Sequence, residues 1–471
     1  MYCGYITTLK NVRQHPNADR MKLADCFGNT VCVGLDAKEG DIVAYFPTDG
    51  QLSVEYCAQN DLVRRKDENG NPAGGYLDPE KRNIRAIKLR GEKSDGLTMP
   101  LESFAYTGVK MSELTIGTPI TVLNGHEICQ KYIPRTNPSR SHSSGNKTRK
   151  HKDPIAPLFQ EHADTEQLAY NLSAFKPGDE IEITLKMHGT SQRSAYLPRL
   201  TGYKRTFWDK ILRRQGEPVY EYGCIDGTRR VVLDTFDGGF YGSNEFRKQH
   251  ADAFEGKLWK GETVYYEVVG FTHTGVPIMA SADNKKLNDK DFIKQYGKET
   301  VFSYGCEPHG LVNDELLKVE VITKPYGDEN HIVMRPQSDI YVYRMTMTNE
   351  DGQVVEYTPD FMRYRCEQMG VKTVPVFEKF TVGELRVCPT DELETYYIQP
   401  EDVIKIAEEY FDGPDPIGKT HIREGVVVRI LNRPKFTAYK HKNFSFKVLE
   451  GIIKDTAEVP DMEEAQDGVN E

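Results

Sequence analysis

Residues Ile181-Glu182-Ile183-Thr184-Leu185-Lys186 alternate apolar and polar, which is the period of a half-buried strand. Ile181, Ile183 and Leu185 are expected to face a core and Glu182, Thr184 and Lys186 the other way. Gly189 breaks the strand and gives a ligand room to approach the backbone. Strand signals recur at 263–269, 339–346, 424–430 and 437–442, with helices between them. Thr358-Pro359 starts one helix and Gly370 stops it; Pro400 opens another, whose Val403, Ile404, Ala407 and Tyr410 share a face before Gly413. Strands at long, irregular spacing with interspersed helices predict an α+β domain built on antiparallel sheets, placed at 159–454.

The first 130 residues have a different pattern. Short strands at 21–26, 31–35, 41–47 and 84–91 are separated by turn clusters without a long helical period, which predicts a small all-β barrel or sandwich. Between the two domains, 131–158 contains PRTNPSRSHSSGNKTRKHKDP, with six Lys or Arg against one Asp. Such a composition cannot bury a core and predicts a basic flexible linker.

Length and charge adjust this picture only slightly. A chain of 471 residues is too long for one ordinary core. The net charge of -10 belongs mostly to 455–471, which has seven acidic residues and no Lys or Arg and reads as an acidic disordered tail. The body is left close to neutral and can hold a basic groove. No apolar run approaches the ~18 residues needed to span a bilayer, so no membrane role is expected. The nine cysteines are scattered, odd in number and never spaced C-x-x-C. That argues against a disulfide framework and a zinc site, and for a reducing, cytoplasmic (or nuclear) location. The G-x-x-x-x-G-K-S/T phosphate cradle does not occur.

The candidate chemistry lies on the strands. Glu267 sits inside the apolar run Val264–Gly270 and Glu424 before a run of valines, positions where an unpartnered carboxylate would be costly. Lys440 and Lys442 share one strand face, their Cα atoms about 7 Å apart. A lysine, two carboxylates and a lysine pair suit attack by an amine on the α-phosphorus of a nucleotide, with a divalent metal and phosphate-neutralising cations. A free lysine is protonated at neutral pH and cannot attack. Nearby cations favour the neutral amine, whereas direct pairing with Glu424 opposes it. The glutamates are therefore assigned to the metal's waters or the nucleoside, and not to Lys186.

In order along the chain, Lys186-Met-His-Gly189, Glu267-Val-Val-Gly270, Tyr341-Val-Tyr343, Glu424-Gly-Val-Val and Lys440-His-Lys442 resemble motifs I, III, IIIa, IV and V of the covalent nucleotidyltransferases. That superfamily comprises DNA ligases, RNA ligases and capping enzymes, and K-x-H-G-T with Lys-x-Lys-Asn is most similar to the ATP-dependent RNA ligases. The blocks His15-Pro-Asn-Ala-Asp-Arg-Met-Lys-Leu, Lys38-Glu-Gly-Asp-Ile-Val-Ala-Tyr-Phe-Pro and Ile87-Lys-Leu-Arg-Gly-Glu-Lys-Ser-Asp-Gly-Leu resemble the OB-fold module of phenylalanyl-tRNA synthetase β chains. The resemblance implies an N-terminal OB-type barrel that binds nucleic acid or serves as a docking platform, followed by an adenylyltransferase domain. It implies ATP as AMP donor, Mg²⁺ or Mn²⁺, and a nicked RNA or RNA-containing duplex as substrate, with tRNA a candidate; a monomer is expected.

Carried onto this chain, the resemblance makes Lys186 the adenylated nucleophile and has Glu267 contact the ribose. Tyr343 stacks on adenine, Glu424 organises the metal through its waters, and Lys440 and Lys442 bind phosphates. Arg229, or its neighbour Arg230, contacts phosphate or ribose, and Arg193 is a further nucleotide contact. His188 stands where relatives with K-x-D-G have an acid; it is read either as orienting a phosphate or as a satisfied turn residue. Lys204–Arg214 interleaves five basic residues with Phe207, Trp208, Ile211 and Leu212, as an RNA-facing element or a surface helix with an apolar stripe. The rival readings are a catalytically decayed RNA- or tRNA-binding protein, a capping guanylyltransferase and a DNA ligase. The last two usually carry an OB domain after motif V, for which the 29 residues after Lys442 are too few.

Overall fold

The computed structural model describes residues 2–66, 72–132, 155–233, 235–237, 244–270, 278, 338–387, 395–417 and 422–448, and two short strand pairs within 311–334. Most of the expected linker and all of the acidic tail lie outside the described residues. The chain divides into two compact units, one of Met1–Pro134 with Lys447–Asp455, the other containing Arg135–Phe446. The architecture is α+β, with mostly antiparallel sheets and few helices. Among the described residues no helix is long and apolar enough to cross a membrane, and Cys3, Cys26, Cys32, Cys57, Cys129, Cys224 and Cys366 are free thiols.

In the first unit all four expected strands form, with ends shifted by no more than two residues: Lys22–Cys26, Asn29–Val33, Ile42–Phe46 and Ala86–Leu89. A four-stranded sheet runs in the order Leu97–Pro100, Ile42–Phe46, Gly4–Thr8, Pro119–Ile120. Ile6, Ala44, Phe46, Leu52, Tyr56 and Phe104 fill its core. Among the described residues the sheets do not close into a barrel. One cause is local. The chain breaks at Leu9 between Gly4–Thr8 and Lys10–Gln14, Asn11 takes φ 49°, and the second half pairs irregularly into a separate three-stranded sheet.

The second unit is built on two sheets. The first runs Glu166–Gln167, Thr437–Lys442, Gly425–Ile430, Glu180–Leu185, Val376–Thr381. The second runs Val232–Leu233, Glu217–Gly227, Thr190–Lys204, Glu262–Gly270, Ser338–Thr348, Val354–Glu356. Strand Glu180–Leu185 lies inside its sheet, and its expected solvent face is buried too: Glu182 and Thr184 are both covered. Glu182 is compensated there by Arg363 at 2.8 Å and Lys379 at 3.4 Å, so an alternating pattern here marks a second buried face.

Helix Pro359–Met369 begins at Thr358, whose hydroxyl accepts from the Phe361 N–H, and ends at Gly370 with φ 70°, as its capping residues predict. Helix Asp402–Glu408 starts two residues after Pro400 and buries Val403, Ile406 and Ala407. The first of these helices is tied to the second sheet by a buried ion pair. Arg365 donates to both oxygens of Glu262, at 2.8 and 2.7 Å, and its guanidinium lies 3.8 Å from the centre of the Trp259 ring. Breaking one partner of such a pair strands a buried charge. Arg365→Leu is expected to destabilise this unit by about 3–5 kcal/mol, read as a lowered urea midpoint; an unchanged midpoint would contradict the role given to the pair.

Candidate active site

Lys186 to Gly189 is where the chain crosses from one sheet to the other, leaving the first at Leu185 and entering the second at Thr190. Beneath the crossing, Leu185, Met187, Val269, Tyr341 and Val374 form one buried apolar cluster that joins the two sheets. The crossing is tight. A Cβ on Gly189 would come within 2.3 Å of the Val268 carbonyl oxygen and 2.9 Å of Glu267 Cγ. The glycine therefore accommodates the neighbouring strand, where the sequence suggested room for a ligand, and it brings Glu267 against the lysine turn.

Register places the charged groups. Leu185 pairs with Val426, Gly425 with Lys442, and the Lys186 N–H donates to the Gly425 carbonyl at 3.0 Å. Lys186, Glu424 and Lys442 thus lie at one end of three adjacent strands. Gly425 adopts φ +146°, and a Cβ there would sit 2.0 Å from the His441 carbonyl oxygen, so the close approach of these strands requires glycine.

The buried Glu424 carboxylate is the centre of this group. Its Oε1 is 2.5 Å from Lys186 Nζ and 3.2 Å from Lys442 Nζ, and its Oε2 is 3.0 Å from His188 Nδ1. Burial alone would raise its pKa, but Lys186 and Lys442, with the His188 hydrogen bond, outweigh that and hold it well below the usual carboxylate value. Two expectations change here. Lys186 is paired directly with Glu424, because a carboxylate buried at this depth needs cations in contact and the register supplies this one. His188 is bound through Nδ1 to the same carboxylate and packs edge-on against Phe446, with ring centres 4.8 Å apart, so one side of its ring holds Glu424. Lys440 lies two residues from Lys442 on the same strand, half-buried and opposite Val427.

The other predicted residues gather along the second sheet. Glu267 is buried, opposite Ser191 on one side and Tyr341 on the other. Tyr343 follows two residues along, beside the irregularity at Tyr265/Tyr266. Its ring faces His162, centres 5.4 Å apart, a residue the sequence reading missed. Burial, reinforced by the charges of Arg229 and Arg344, pushes the His162 pKa down to about 3, so the ring is neutral. Its main-chain N–H donates to the Arg229 carbonyl at 3.2 Å. Arg229 and Arg230 both pair with Asp164, but Arg229 makes the closer, less exposed contact. Residues 159–164 carry no periodic signal; they form an irregular segment placed by long-range packing.

Arg193 is wholly buried. It donates to the Gln160 and Phe159 carbonyls, and its guanidinium lies 4.2 Å from the Phe159 ring centre. Its described contacts therefore fix the 159–160 segment that leads into His162.

No family model and no curated protein matches the chain. Solved structures do. A Naegleria gruberi RNA ligase, as a lysine-to-alanine mutant with ATP and Mn, aligns over 96% of this chain and 98% of its own at 14% identity and TM-score 0.50. An aspartate-to-alanine mutant of that ligase without ligand aligns over 95% and 98% at 14% identity and TM-score 0.51. The chain has the fold of an RNA ligase. A lysine-to-methionine mutant with AMP and Mn gives 15% identity, 94% and 97% coverage and TM-score 0.50. At such identities the likeness is one of fold, and the roles of individual residues rest on the geometry above.

The depressed pKa of Glu424 carries a pH signature. Its stabilising contribution is complete above the unfolded carboxylate value of about 4.3 and is lost as pH falls toward the folded value below it. Glu424→Gln is expected to lower the thermal midpoint at pH 7, and the difference from wild type to shrink below about pH 4. A difference independent of pH would contradict the ionised, compensated carboxylate.

Proposed function

We propose that this protein is an ATP-dependent RNA ligase that seals 3′-hydroxyl/5′-phosphate nicks through a lysyl-AMP intermediate on Lys186, in RNA repair. The observation that carries the reading is the position of Lys186. It lies at the crossing between two sheets of an RNA-ligase fold, in contact with a buried Glu424 that Lys442 shares. In the first step Lys186 Nζ attacks the α-phosphorus of ATP, a phosphorus–nitrogen bond forms and pyrophosphate leaves. AMP then passes to the 5′-phosphate of the broken strand, and the 3′-hydroxyl displaces it to close the backbone.

The amine attacks as the neutral form, since an ammonium has no lone pair. In this reading its proton leaves to water and its contact with Glu424 is given up as the substrate phosphates enter. Among the described residues no three His, Cys, Asp or Glu side chains cluster as metal ligands. A single ionised carboxylate suits Mg²⁺ or Mn²⁺ held mainly by waters and substrate phosphates, and Glu424 is that carboxylate. Bound there, the divalent ion would neutralise charge on the phosphates. Lys440 and Lys442 assist by binding phosphate oxygens. Glu267, against the turn at Gly189, contacts the ribose, and Tyr343 stacks on adenine. Arg229 is the favoured phosphate- or ribose-binding arginine of its pair, and Arg193 acts by holding the 159–160 segment.

We also infer that the first unit is an OB-type module that binds the nicked RNA or RNA-containing duplex, supported by its short antiparallel strands and the sequence blocks at 15–23, 38–47 and 87–97. A monomer acting on RNA inside the cell is the simplest form of this reading.

Incubation with α-labelled ATP and Mg²⁺ or Mn²⁺ is expected to label the wild-type chain covalently and to leave Lys186→Ala unlabelled. An unlabelled wild type, or undiminished label on the variant, would overturn the proposal. Preferential labelling by GTP would point instead to a capping guanylyltransferase.

A further inference from the structure

Beyond the nucleotide site, the far part of Thr190–Lys204, the longest strand among the described residues, forms a separate feature with Glu217–Gly227. Thr190–Lys204 and Glu217–Gly227 pair along their length, whereas Glu262–Gly270 accompanies the first of them only from Thr190 to Ala195. Beyond Ala195 the described pairings are those of a two-stranded ribbon, which reaches roughly 25 Å at ~3.3 Å per residue. Its tip is held by its own chain. Thr206 Oγ1 accepts from the Asp209 N–H at 3.2 Å and Asp209 Oδ2 accepts from the Thr206 N–H at 2.9 Å, capping the short helix Phe207–Ile211. Arg205 Nε donates across the loop to the Gln215 carbonyl at 3.1 Å.

This local order presents apolar side chains to solvent. Phe207 is 71% exposed, Trp208 67%, Ile211 54% and Leu212 54%, so the surface helix that forms here turns its apolar stripe to solvent. Arg205, Lys210, Arg213 and Arg214 surround them and are exposed. The one acid among residues 204–214, Asp209, is engaged by Thr206. Large exposed apolar groups at this density mark a contact surface, and the excess of positive charge calls for an anionic partner. The Phe207 and Trp208 rings, centres 5.9 Å apart and 73° to one another, present separate faces among cations, the arrangement that binds successive unpaired bases and their phosphates.

We propose that this tip is a second RNA contact, which grips single-stranded RNA by stacking bases on Phe207 and Trp208 and pairing phosphates with Arg205, Lys210, Arg213 and Arg214. Bases inside a duplex are already stacked, so unpaired RNA is the form that fits. The tip's part in sealing rests on the ligase reading; its affinity for RNA does not.

The test uses the full chain with a fluorescent 20-nucleotide single-stranded RNA, alongside Phe207→Ala/Trp208→Ala and Arg213→Gln/Arg214→Gln. The aromatic double variant is expected to bind this RNA about ten- to a hundredfold more weakly. The arginine double variant is expected to lower the slope of log affinity against log salt by about 1 to 2. Both should keep the wild-type thermal midpoint and Lys186–AMP formation from ATP. Unchanged RNA affinity in the aromatic variant would overturn the proposal. So would loss of binding confined to phosphatidylserine-containing vesicles, which would make the tip a membrane contact. A wild type that forms no AMP adduct would overturn the ligase reading, while the RNA measurements would still decide the role of the tip.

Discussion

A carboxylate buried at the junction of two sheets constrains everything around it. Glu424 is almost completely removed from water, and such a charge is tolerated only when compensated at contact distance. Its partners come from two places: Lys186 and His188 from the sheet crossing, and Lys442 from the end of an adjacent strand. The requirement therefore fixes the register of Glu180–Leu185, Gly425–Ile430 and Thr437–Lys442 as well as the charge of the site. Gly425 and Gly189 serve the same end, since each removes a side chain where main chains meet more closely than a Cβ allows.

The resting arrangement also sets a condition on catalysis. An amine attacks only through a free lone pair, and in the resting arrangement Lys186 Nζ is engaged by Glu424. In the proposed reaction substrate phosphates and their divalent ion compete for the same carboxylate, which couples nucleotide entry to release of the nucleophile. The other half of the site adds an aromatic surface: Tyr343 and a neutral His162 lie together, with Arg229 held nearby by Asp164. The cluster of Leu185, Met187, Val269, Tyr341 and Val374 holds the two halves together.

The sequence was most informative where a residue's chemistry is local. Thr358 and Gly370 marked the ends of a helix because capping and left-handed backbone are properties of single residues, and the apolar runs around Lys186, Glu267, Glu424 and Lys442 marked the strands beside them. What it did not reveal depends on packing. Alternation at 181–186 could not distinguish solvent from a second buried face, which Arg363 and Lys379 settle for Glu182. The direct Lys186–Glu424 pair follows from strand register, and His162 enters through an irregular segment with no periodicity. The long strand Thr190–Lys204 contains Pro198, Gly202 and exposed charged residues, and these hid its period. His188 departed from the commoner motif, and only its contact with Glu424 indicates what it does.

The most direct measurement is a crystal structure of the wild-type protein with ATP and Mn²⁺. The account predicts Lys186 Nζ at or bonded to the α-phosphorus, separated from Glu424, with Glu424 turned to the hydration shell of the metal and Lys440 and Lys442 on phosphate oxygens. Nucleotide bound elsewhere, with Lys186 still paired to Glu424, would contradict it.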